Sequence, residues 1–295
     1  MDKASLKVRQ ELPLDAKIYF SKWSIQKFID TLGEDKTYIP YSGGKDSTVL
    51  AHIVKSMGYD LEHVFVNTRN EFKSIIEQVN YMKSIGYKII QVLPEMTPHQ
   101  VIETFGYPVV SKQVANTIYY ARKNIAEGKN TLRVRQIMGE EKGSKFNKGK
   151  WKFLLDSDIK ISHKCCDMLK KEPLKKYEKQ TKRRPIIGTM ASESLNREVA
   201  YLKHGCNNFT EGKEQCTPLG FWTEKDIWEY IEKYNVKISD AYKTESRTGC
   251  VACAFGMEFD KGRFKRLKEI EPKKYEYVIN KLGYKKVCDL LGYEY

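Results

Sequence analysis

A glycine-rich stretch between residues 42 and 48 has the composition of a phosphate-binding loop. Its residues are Ser42, Gly43, Gly44, Lys45, Asp46, Ser47 and Thr48. Glycine lets backbone N–H groups point outward and leaves room for phosphate oxygens, and the N-terminus of a following helix adds partial positive charge. Lys45 can neutralise phosphate, and the three hydroxyl groups can donate hydrogen bonds. We therefore predict that the loop binds a phosphorylated ligand and that Lys45, Asp46 and Ser47 carry the catalytic roles.

Two positions separate this loop from the Walker A pattern. That pattern needs a glycine five residues before Gly44, where Ile39 stands, and a serine or threonine directly after the lysine, where Asp46 stands. Asp46 could instead cap the following helix or help to hold a magnesium ion. The alternative interpretation is an ordinary Gly-Gly turn that ends in a helix cap.

Four of the seven cysteines form two close pairs that are typical of metal ligands. They are Cys165, Cys166, Cys250 and Cys253. The second pair has the CxxC spacing, which turns both sulfurs to one side, and sets of four thiolates hold iron–sulfur clusters. We therefore predict a cluster here, with zinc and buried free thiols as the alternatives. The other three cysteines, Cys206, Cys216 and Cys288, stand alone.

Strand and helix patterns alternate through most of the chain. Strand patterns cover residues 37–42, 63–68, 87–94 and 184–190. Helical spacing of apolar residues covers 23–33, 46–58, 72–86, 97–105 and 192–203. Such alternation predicts an α/β fold with a parallel sheet and helices on both faces, and it puts the glycine-rich loop on a strand-to-helix turn. From about residue 206 the alternation is lost, and 223–234 and 263–282 have helical patterns.

Length and hydropathy indicate a globular protein with a packed core. The 295 residues are 41% hydrophobic, which is enough for a packed core. We predict a nucleotide-binding α/β domain over residues 1–205, with a basic loop-like insertion at 128–152, and a helical C-terminal segment over 206–295 that completes the metal site. The N-terminal residues have no signal-peptide pattern, and no run approaches the roughly 18 apolar residues of a membrane helix. We therefore expect a cytoplasmic protein without a membrane partner.

The formal net charge of +14 favours partners that are polyanions, although a generally lysine-rich proteome would produce the same balance. The end of the insertion, residues 142–152, has five lysines, two aromatic residues and no acidic residue. The lysines are Lys142, Lys145, Lys148, Lys150 and Lys152. They could contact phosphates of DNA or tRNA, while Phe146 or Trp151 stacks on an exposed base. The alternative is a solvated lysine loop.

The Ser-Gly-Gly-Lys-Asp-Ser sequence resembles the pyrophosphate loop of the ATP pyrophosphatase superfamily, the PP-loop proteins. The resemblance implies a Rossmann-like sheet of the adenine nucleotide alpha hydrolase type, with ATP and Mg²⁺ as ligands. It also implies a reaction in which the loop grips the β,γ-pyrophosphate while a substrate oxygen attacks the α-phosphorus.

Further motifs between residues 37 and 256 resemble the phosphoadenylylsulfate and adenylylsulfate reductase family within that superfamily. They are Cys165-Cys166 followed by Lys171, Pro173 and Leu174; Gly188 with Glu193-Ser194 and Arg197; Pro218-Leu219 with Trp222-Thr223, Asp226-Ile227-Trp228 and Tyr230-Ile231; and Thr248-Gly249-Cys250 with Cys253. The resemblance implies a 4Fe–4S cluster on the four paired cysteines and ligand contacts from Gly188, Glu193 and Arg197.

Three functions stay open at this level. The loop is intact, as in proteins of DNA phosphorothioation and tRNA thiolation, which favours an ATP-using enzyme that adenylates an acceptor, on a nucleic acid, for sulfur transfer from a donor protein. A reductase that makes sulfite from adenylyl sulfate would need a Glu-Cys-Gly-x-His motif, which does not surround Cys288, and an arginine where Met190 stands. The third function is a non-catalytic nucleotide-binding subunit of a larger complex. We predict a structural role for Cys288.

Overall fold

The structure is a computed structural model that describes residues 1–295. Its residues form two compact units that are interleaved along the chain. The first unit comprises residues 1–67, 73–93 and 173–248, and the second comprises 68–72, 94–172 and 249–295. These limits differ from the expected boundary between residues 205 and 206, because the chain leaves the first unit after residue 93 and returns to it at residue 173.

The regular elements follow one another as strands and helices up to residue 204 and as mostly helices afterwards. The α-helices are α1 (Lys3–Gln10), α2 (Leu14–Leu32), α3 (Lys45–Ser56), α4 (Lys73–Ser84), α5 (Pro98–Phe105), α6 (Lys112–Ala126), α7 (Leu132–Met138), α8 (Glu172–Thr181), α9 (Leu195–His204), α10 (Glu224–Lys233), α11 (Arg263–Ile270), α12 (Pro272–Glu276) and α13 (Lys285–Leu291). The strands are β1 (Thr37–Tyr41), β2 (Glu62–Val66), β3 (Lys88–Val92), β4 (Val109–Val110), β5 (Arg184–Pro185), β6 (Asn207–Asn208), β7 (Gln215–Cys216) and β8 (Ala254–Phe255). Short 3₁₀ turns lie at Glu34–Lys36, Gly149–Leu154, Ala191–Glu193 and Asp240–Lys243, and π-helical turns lie at Asp167–Lys171 and Tyr277–Lys281.

The first unit is built on a four-stranded parallel sheet in the order β3-β2-β1-β5. The register aligns Ile39 of β1 with His63 of β2, and His63 with Ile89 of β3. All pairings in this sheet are parallel, so the carboxyl ends of its strands share one edge. In open parallel sheets ligands bind outside that edge, which is where the loop after β1 begins.

Helices cover both faces of this sheet. On one face Ile39 packs into a large core with residues of α2 and α3, including Phe28 and Leu50, which are fully buried. On the other face Tyr38 and Val64 pack against Tyr177 of α8. The alternation of Tyr38 and Ile39 follows from the two-residue period of a strand. The predicted α/β fold with a parallel sheet and helices on both faces is confirmed.

The second unit is mostly helical and has one small parallel ladder. Val109 of β4 pairs with Ala254 of β8. Its interior contains the fully buried ring of Tyr284, which meets Tyr107 edge-on at 5.1 Å between ring centroids and Phe264 at 5.6 Å. The hydroxyl of Tyr107 donates a hydrogen bond of 2.8 Å to the carbonyl of Leu282. These buried aromatic contacts hold the C-terminal helices to the segment around β4.

Two sequence-based expectations differ from the structure. The predicted strand 184–190 forms a ladder only over Arg184–Pro185; beyond it Ile186 donates its N–H to the Tyr38 carbonyl of β1, and Ile187 donates to the carbonyl of Cys216. The insertion 128–152 is not a continuous loop, since it contains α7 and the 3₁₀ turn Gly149–Leu154. Burial of Ile137, which has no exposed surface, provides the packing that stabilises α7. None of the helices combines the length and apolar character needed to cross a membrane.

Candidate functional site

The glycine-rich loop joins β1 to α3 in the first unit. Helix α3 begins at Lys45, with Gly44 as its N-cap and no side chain capping it, so the predicted capping role of Asp46 is wrong. Gly43 has φ +74, and a Cβ placed there would lie 2.8 Å from Cγ2 of Ile75 on α4. Only glycine satisfies both the left-handed backbone and this close approach. The loop is thus shaped by packing against its own unit.

The hydroxyl groups of the loop bond to the loop itself. Ser47 Oγ donates to the Gly44 carbonyl at 2.9 Å, and Thr48 Oγ1 donates to the same carbonyl at 3.0 Å. Ser42 Oγ accepts the Gly44 N–H at 3.3 Å. Thr48 is buried, and its hydroxyl also pairs with that of Tyr41 at 3.1 Å. These bonds stabilise the turn, and a phosphate would have to compete with Ser42 for the Gly44 N–H.

Lys45 is buried at the start of α3, with 5% of its surface exposed. Its ammonium lies 3.1 Å from Oε1 of Glu224 on α10 and 3.8 Å from Oδ1 of Asp46. It also lies 5.3 Å from the ring centroid of Tyr242 and 5.8 Å from that of Trp228. Burial lowers the pKa of Lys45, but these carboxylates outweigh it and raise that pKa overall. The ammonium is therefore charged and held by the protein's own groups.

Asp46 has an oxygen without a hydrogen-bond partner. Its Oδ1 atom is buried, and the burial raises the pKa of the carboxyl, with Lys45 opposing the effect and Glu193 and Glu224 adding to it. A buried carboxylate oxygen normally needs a hydrogen-bond donor or a cation. The Lys45 ammonium, 3.8 Å from this atom, is too far away for a hydrogen bond, so a bound Mg²⁺ or a ligand hydroxyl could serve as its direct partner.

The segment after β5 adds the three residues that motif resemblance implicated. A Cβ at Gly188 would lie 3.0 Å from the Asp46 carbonyl oxygen, so glycine permits the close approach of this segment to the loop. Glu193 accepts the N–H of Met190 at 2.7 Å and forms an ion pair with Arg197. A cavity of about 180 Å³ opens beside Arg197. Its other lining residues include Thr189, Asn196, His204, Gln215 and Thr217. The structure therefore brings all the predicted loop residues and Gly188 together.

Four further side chains lie next to the loop, and the sequence predicts a place in the nucleotide site for none of them. They are Tyr242, Thr248, Glu224 and Trp228. The hydroxyl of Tyr242 accepts the Lys45 N–H at 2.8 Å and pairs with Thr248 Oγ1 at 2.9 Å. Trp228 and Thr248 belong to motifs that carry the family resemblance, which was the available signal. Nothing in the residues around Tyr242 indicates that its hydroxyl reaches a loop almost 200 positions earlier, because only tertiary packing joins them.

The four paired cysteines all belong to the second unit. Cys165 and Cys166 directly precede the π-helical turn Asp167–Lys171, a conformation that is enriched at functional sites. The CxxC segment is held by Asn70, whose backbone carbonyl accepts the Val251 N–H at 2.7 Å and whose side-chain oxygen accepts the Ala252 N–H at 3.1 Å. Arg263 donates to the Cys250 carbonyl at 2.9 Å. Two distant segments are in this way fixed around one set of thiols.

The electrostatics show that these thiols are neighbours. Burial raises the pKa of Cys165 and of Cys166, and the nearby Cys250 raises both further. Burial and Cys250 raise the pKa of Cys253 to about 11. The nearby Cys250 and Cys166 raise the pKa of Lys170. The four thiols are therefore neighbours, and the positively charged Lys170 lies beside them.

The four cysteine side chains do not converge on one metal position. No three histidine, cysteine, aspartate or glutamate side chains of the chain converge closely enough to bind one metal ion. A zinc ion would require four donors around one centre, each about 2.0–2.3 Å from it. Cys206 and Cys216 belong to the first unit, and Cys288, in α13 of the second unit, has no exposed surface. Burial raises the pKa of Cys288 to about 12, so its thiolate is scarce at neutral pH.

Comparison with known proteins gives one family and a few distant relatives. Residues 36–126 and 111–255 match the family model described as the phosphoadenosine phosphosulfate reductase domain. An uncharacterized protein of Methanocaldococcus jannaschii is 26% identical over 251 residues, which are 83% of this chain and 47% of that protein. The chain therefore spans about half the length of that curated relative.

Two solved structures show a low overall likeness. The phosphoadenylyl-sulfate reductase from Candida auris, in its phosphate complex, has a TM-score of 0.48 and 11% identity, over 85% of this chain and 96% of that one. The U34-tRNA thiolase NcsA from Methanococcus maripaludis, with its 4Fe–4S cluster, has a TM-score of 0.38 and 15% identity, over 92% of this chain and 80% of that one. The family assignment rests on the model match alone, which extends from residue 36 to residue 255: the chain belongs to the phosphoadenosine phosphosulfate reductase domain family.

Proposed function

We propose that the protein is an ATP-using enzyme that adenylates an acceptor oxygen, on a nucleic acid, so that sulfur can replace it. The observation that carries the proposal is the loop itself, where a buried Lys45 and an unsatisfied Asp46 oxygen lie together at the N-terminus of α3. A helix N-terminus and a lysine attract the triphosphate, and the carboxylate suits the Mg²⁺ that accompanies it. Glu193 and Arg197 extend this polar site to the cavity beside them.

The chemistry assigned to these residues has two steps. The acceptor oxygen attacks the α-phosphorus of ATP, the bond from that phosphorus to the β-phosphate oxygen breaks, and pyrophosphate leaves. A sulfide-level nucleophile from a sulfur-donor protein then displaces AMP, which departs with the acceptor oxygen. Lys45 and the backbone N–H groups of the loop stabilise the charge of the leaving pyrophosphate, while Ser47 holds the loop in shape through its bond to Gly44.

The cysteine group fits a 4Fe–4S cluster. Four thiols from Cys165, Cys166, Cys250 and Cys253 lie together, partly shielded from solvent, and Lys170 supplies a positive charge next to them. A 4Fe–4S cluster takes one thiolate on each iron, so four neighbouring thiols match the number of ligands that it needs. When bound, the cluster would supply iron with a high affinity for sulfur.

Nucleic acid is the proposed acceptor because of the exposed surface around residues 142–152. Lys145 lies over the ring of Phe146 at 5.3 Å, and Lys150 lies over the ring of Trp151 at 4.9 Å. Lys150 also forms an ion pair of 2.5 Å with Glu258, which ties this segment to the loop that carries Phe259. The side chain of Phe259 is 89% exposed. Lysines interleaved with exposed rings suit phosphates and unpaired bases.

Anaerobic turnover assays test the proposal. Purified protein is incubated with ATP, Mg²⁺ and either tRNA or DNA, and AMP and pyrophosphate are measured. Formation of both products that depends on the acceptor supports it, and Lys45→Ala should lower the amount formed because it weakens ATP binding. Sulfite formation from adenylyl sulfate would instead establish the reductase. Binding of ATP without any turnover, with every acceptor tried, would favour a non-catalytic nucleotide-binding subunit.

The reductase remains the second candidate because of the four-cysteine group. That reaction needs a thiolate nucleophile outside the cluster, and the three remaining cysteines are buried or half-buried. Cys288 and Cys216 have no exposed surface, and burial raises the pKa of Cys206. This shielding favours the ATP-using enzyme.

A further inference from the structure

The 3₁₀ turn Asp240–Lys243 places a tyrosine hydroxyl on the phosphate loop. Tyr242 Oη accepts the N–H of Lys45 at 2.8 Å. Lys45 is the first residue of α3, and the free N–H groups of a helix N-terminus are the donors that phosphate oxygens use. The hydroxyl thus occupies a hydrogen-bonding position that suits a phosphate oxygen.

The same turn also engages the side chain of that lysine. The ring of Tyr242 lies 5.3 Å from the Lys45 ammonium and meets the indole of Trp228 edge-on at 5.8 Å. Glu224 completes the enclosure through its ion pair with Lys45. Both positive groups of Lys45, the backbone N–H and the ammonium, are therefore occupied by the protein.

Little room is left above the loop in this arrangement. A single carbon atom placed as Cβ on Gly44 would lie 3.0 Å from Tyr242 Oη, 3.2 Å from Thr248 Oγ1 and 3.3 Å from Ser42 Oγ. A phosphate group is larger than one carbon atom and must approach the same backbone. The hydroxyls of Tyr242 and Thr248 therefore crowd this side of Gly44, and the neighbouring N–H of Lys45 is already bonded to Tyr242.

We propose that Tyr242 is a self-inhibitory plug of the nucleotide loop, and that ATP binds only after the turn Asp240–Lys243 withdraws the hydroxyl from the Lys45 N–H. The proposal rests on the proposed function in one respect, that ATP is the ligand of the loop. Thr248 holds the plug in place through its hydrogen bond to Tyr242 at 2.9 Å. Burial raises the pKa of Tyr242, so the plug is a neutral hydroxyl that the charged triphosphate can outcompete.

The test is the ATP affinity of the full-length Tyr242→Phe variant, measured by calorimetry under anaerobic conditions. The substitution keeps the ring next to Trp228 and removes only the competing hydroxyl. A neutral hydrogen bond contributes about 0.5–1.5 kcal/mol, so the variant should bind ATP about 2- to 13-fold more tightly than the wild type. Tyr234→Phe removes a hydroxyl from the C-cap of α10 and should leave the affinity unchanged.

A second measurement follows the movement of the turn. Because the Trp228 ring contacts that of Tyr242, ATP should change the tryptophan fluorescence of the wild type, and Trp228→Phe should remove that change. The plug is wrong if Tyr242→Phe binds ATP equally or more weakly, since a weaker variant would make the hydroxyl a ligand of the phosphate. If neither the wild type nor Tyr242→Phe binds ATP, both the plug and the proposed function are wrong. If only the variant binds ATP, both proposals gain support.

Discussion

The phosphate loop and the cysteine group are built in opposite ways. The loop is one continuous segment, residues 42–48, whose serine and threonine hydroxyls satisfy its own backbone. The cysteine group takes its ligands from two segments more than 80 positions apart, and it depends on Asn70 and Arg263 to hold the second one. Replacing one side chain removes one of several hydrogen-bond donors from the loop, whereas it removes a required ligand from a cluster.

Loss of one cysteine is the sharpest way to test this difference. Replacing Cys165, Cys166, Cys250 or Cys253 with serine should each bleach the brown anaerobic protein and reduce its iron and sulfide content to near zero, because a cluster needs all four thiolates. Cys288→Ala should keep the iron, since Cys288 is buried in α13 and is not one of the four predicted ligands. Zinc without iron in anaerobic wild-type protein would refute the cluster.

The folding stability of the sheet that carries the loop should decrease at acid pH. His63 lies on β2, next to β1, and its burial lowers its pKa from 6.5 to about 4. The folded protein therefore binds this proton more weakly than the unfolded chain does. Neutral His63 therefore makes its full contribution to the free energy of unfolding above about pH 6.5. That free energy falls by about 3 kcal/mol as the pH drops toward 4.

Denaturant unfolding between pH 7 and pH 4 measures this effect. His63→Gln should reduce the slope of unfolding free energy against pH, although it also changes the absolute stability. His204→Gln removes an exposed histidine of α9 and should keep the wild-type slope. An unchanged slope in His63→Gln would show that other groups dominate the acid response.

Removal of the loop lysine should have a graded effect. Lys45→Ala should weaken ATP binding by about 1.5–3 kcal/mol, or about 13- to 160-fold, because a charge-assisted hydrogen bond to phosphate is lost. Lys55→Ala, at the other end of α3, should bind ATP as the wild type does. Equal ATP affinity of Lys45→Ala and the wild type would remove this lysine from the nucleotide site.

The smallest expected effect concerns the basic segment. Each phosphate neutralised contributes about −0.9 on double-stranded DNA, or about −0.7 on single strands, to the slope of log affinity against log salt. Changing Lys142, Lys145, Lys148, Lys150 and Lys152 to glutamine should flatten that slope and weaken binding of all sequences. ATP affinity and iron content should stay unchanged, because these lysines lie in neither site. If the wild type binds neither DNA nor tRNA at low salt, another acceptor must replace nucleic acid.

Much of the α/β pattern was predictable because it depends on local sequence. The runs that became β1, β2 and β3 and the helices between them have the two-residue and 3.6-residue apolar periods that burial in a sheet and on a helix require. The glycine-rich loop was predictable for the same reason, since Gly43 and Gly44 stand between a strand and a helix. Motif resemblance singled out the four cysteines and Gly188 before their positions in space were known.

Other features depend on contacts between distant residues. The ladder of β5 with β1 covers only Arg184–Pro185, and burial of Ile137 helps to stabilise α7. The local sequence pattern predicts neither feature. The sequence suggests Asp46 as a cap of α3, but the helix starts one residue earlier than the pattern indicates, and the Oδ1 atom of Asp46 has no hydrogen-bond partner.

The sequence by itself therefore determined the class of fold, the loop and the candidate ligands, because these follow from residue type and short-range spacing. Only the tertiary structure decided that Tyr242 bonds to Lys45, that Lys170 lies among the thiols and that Asn70 holds the CxxC segment. The physical reason is that hydrogen bonds and charge interactions act over a few ångströms in space. A chain of 295 residues brings such groups together only after its core has packed.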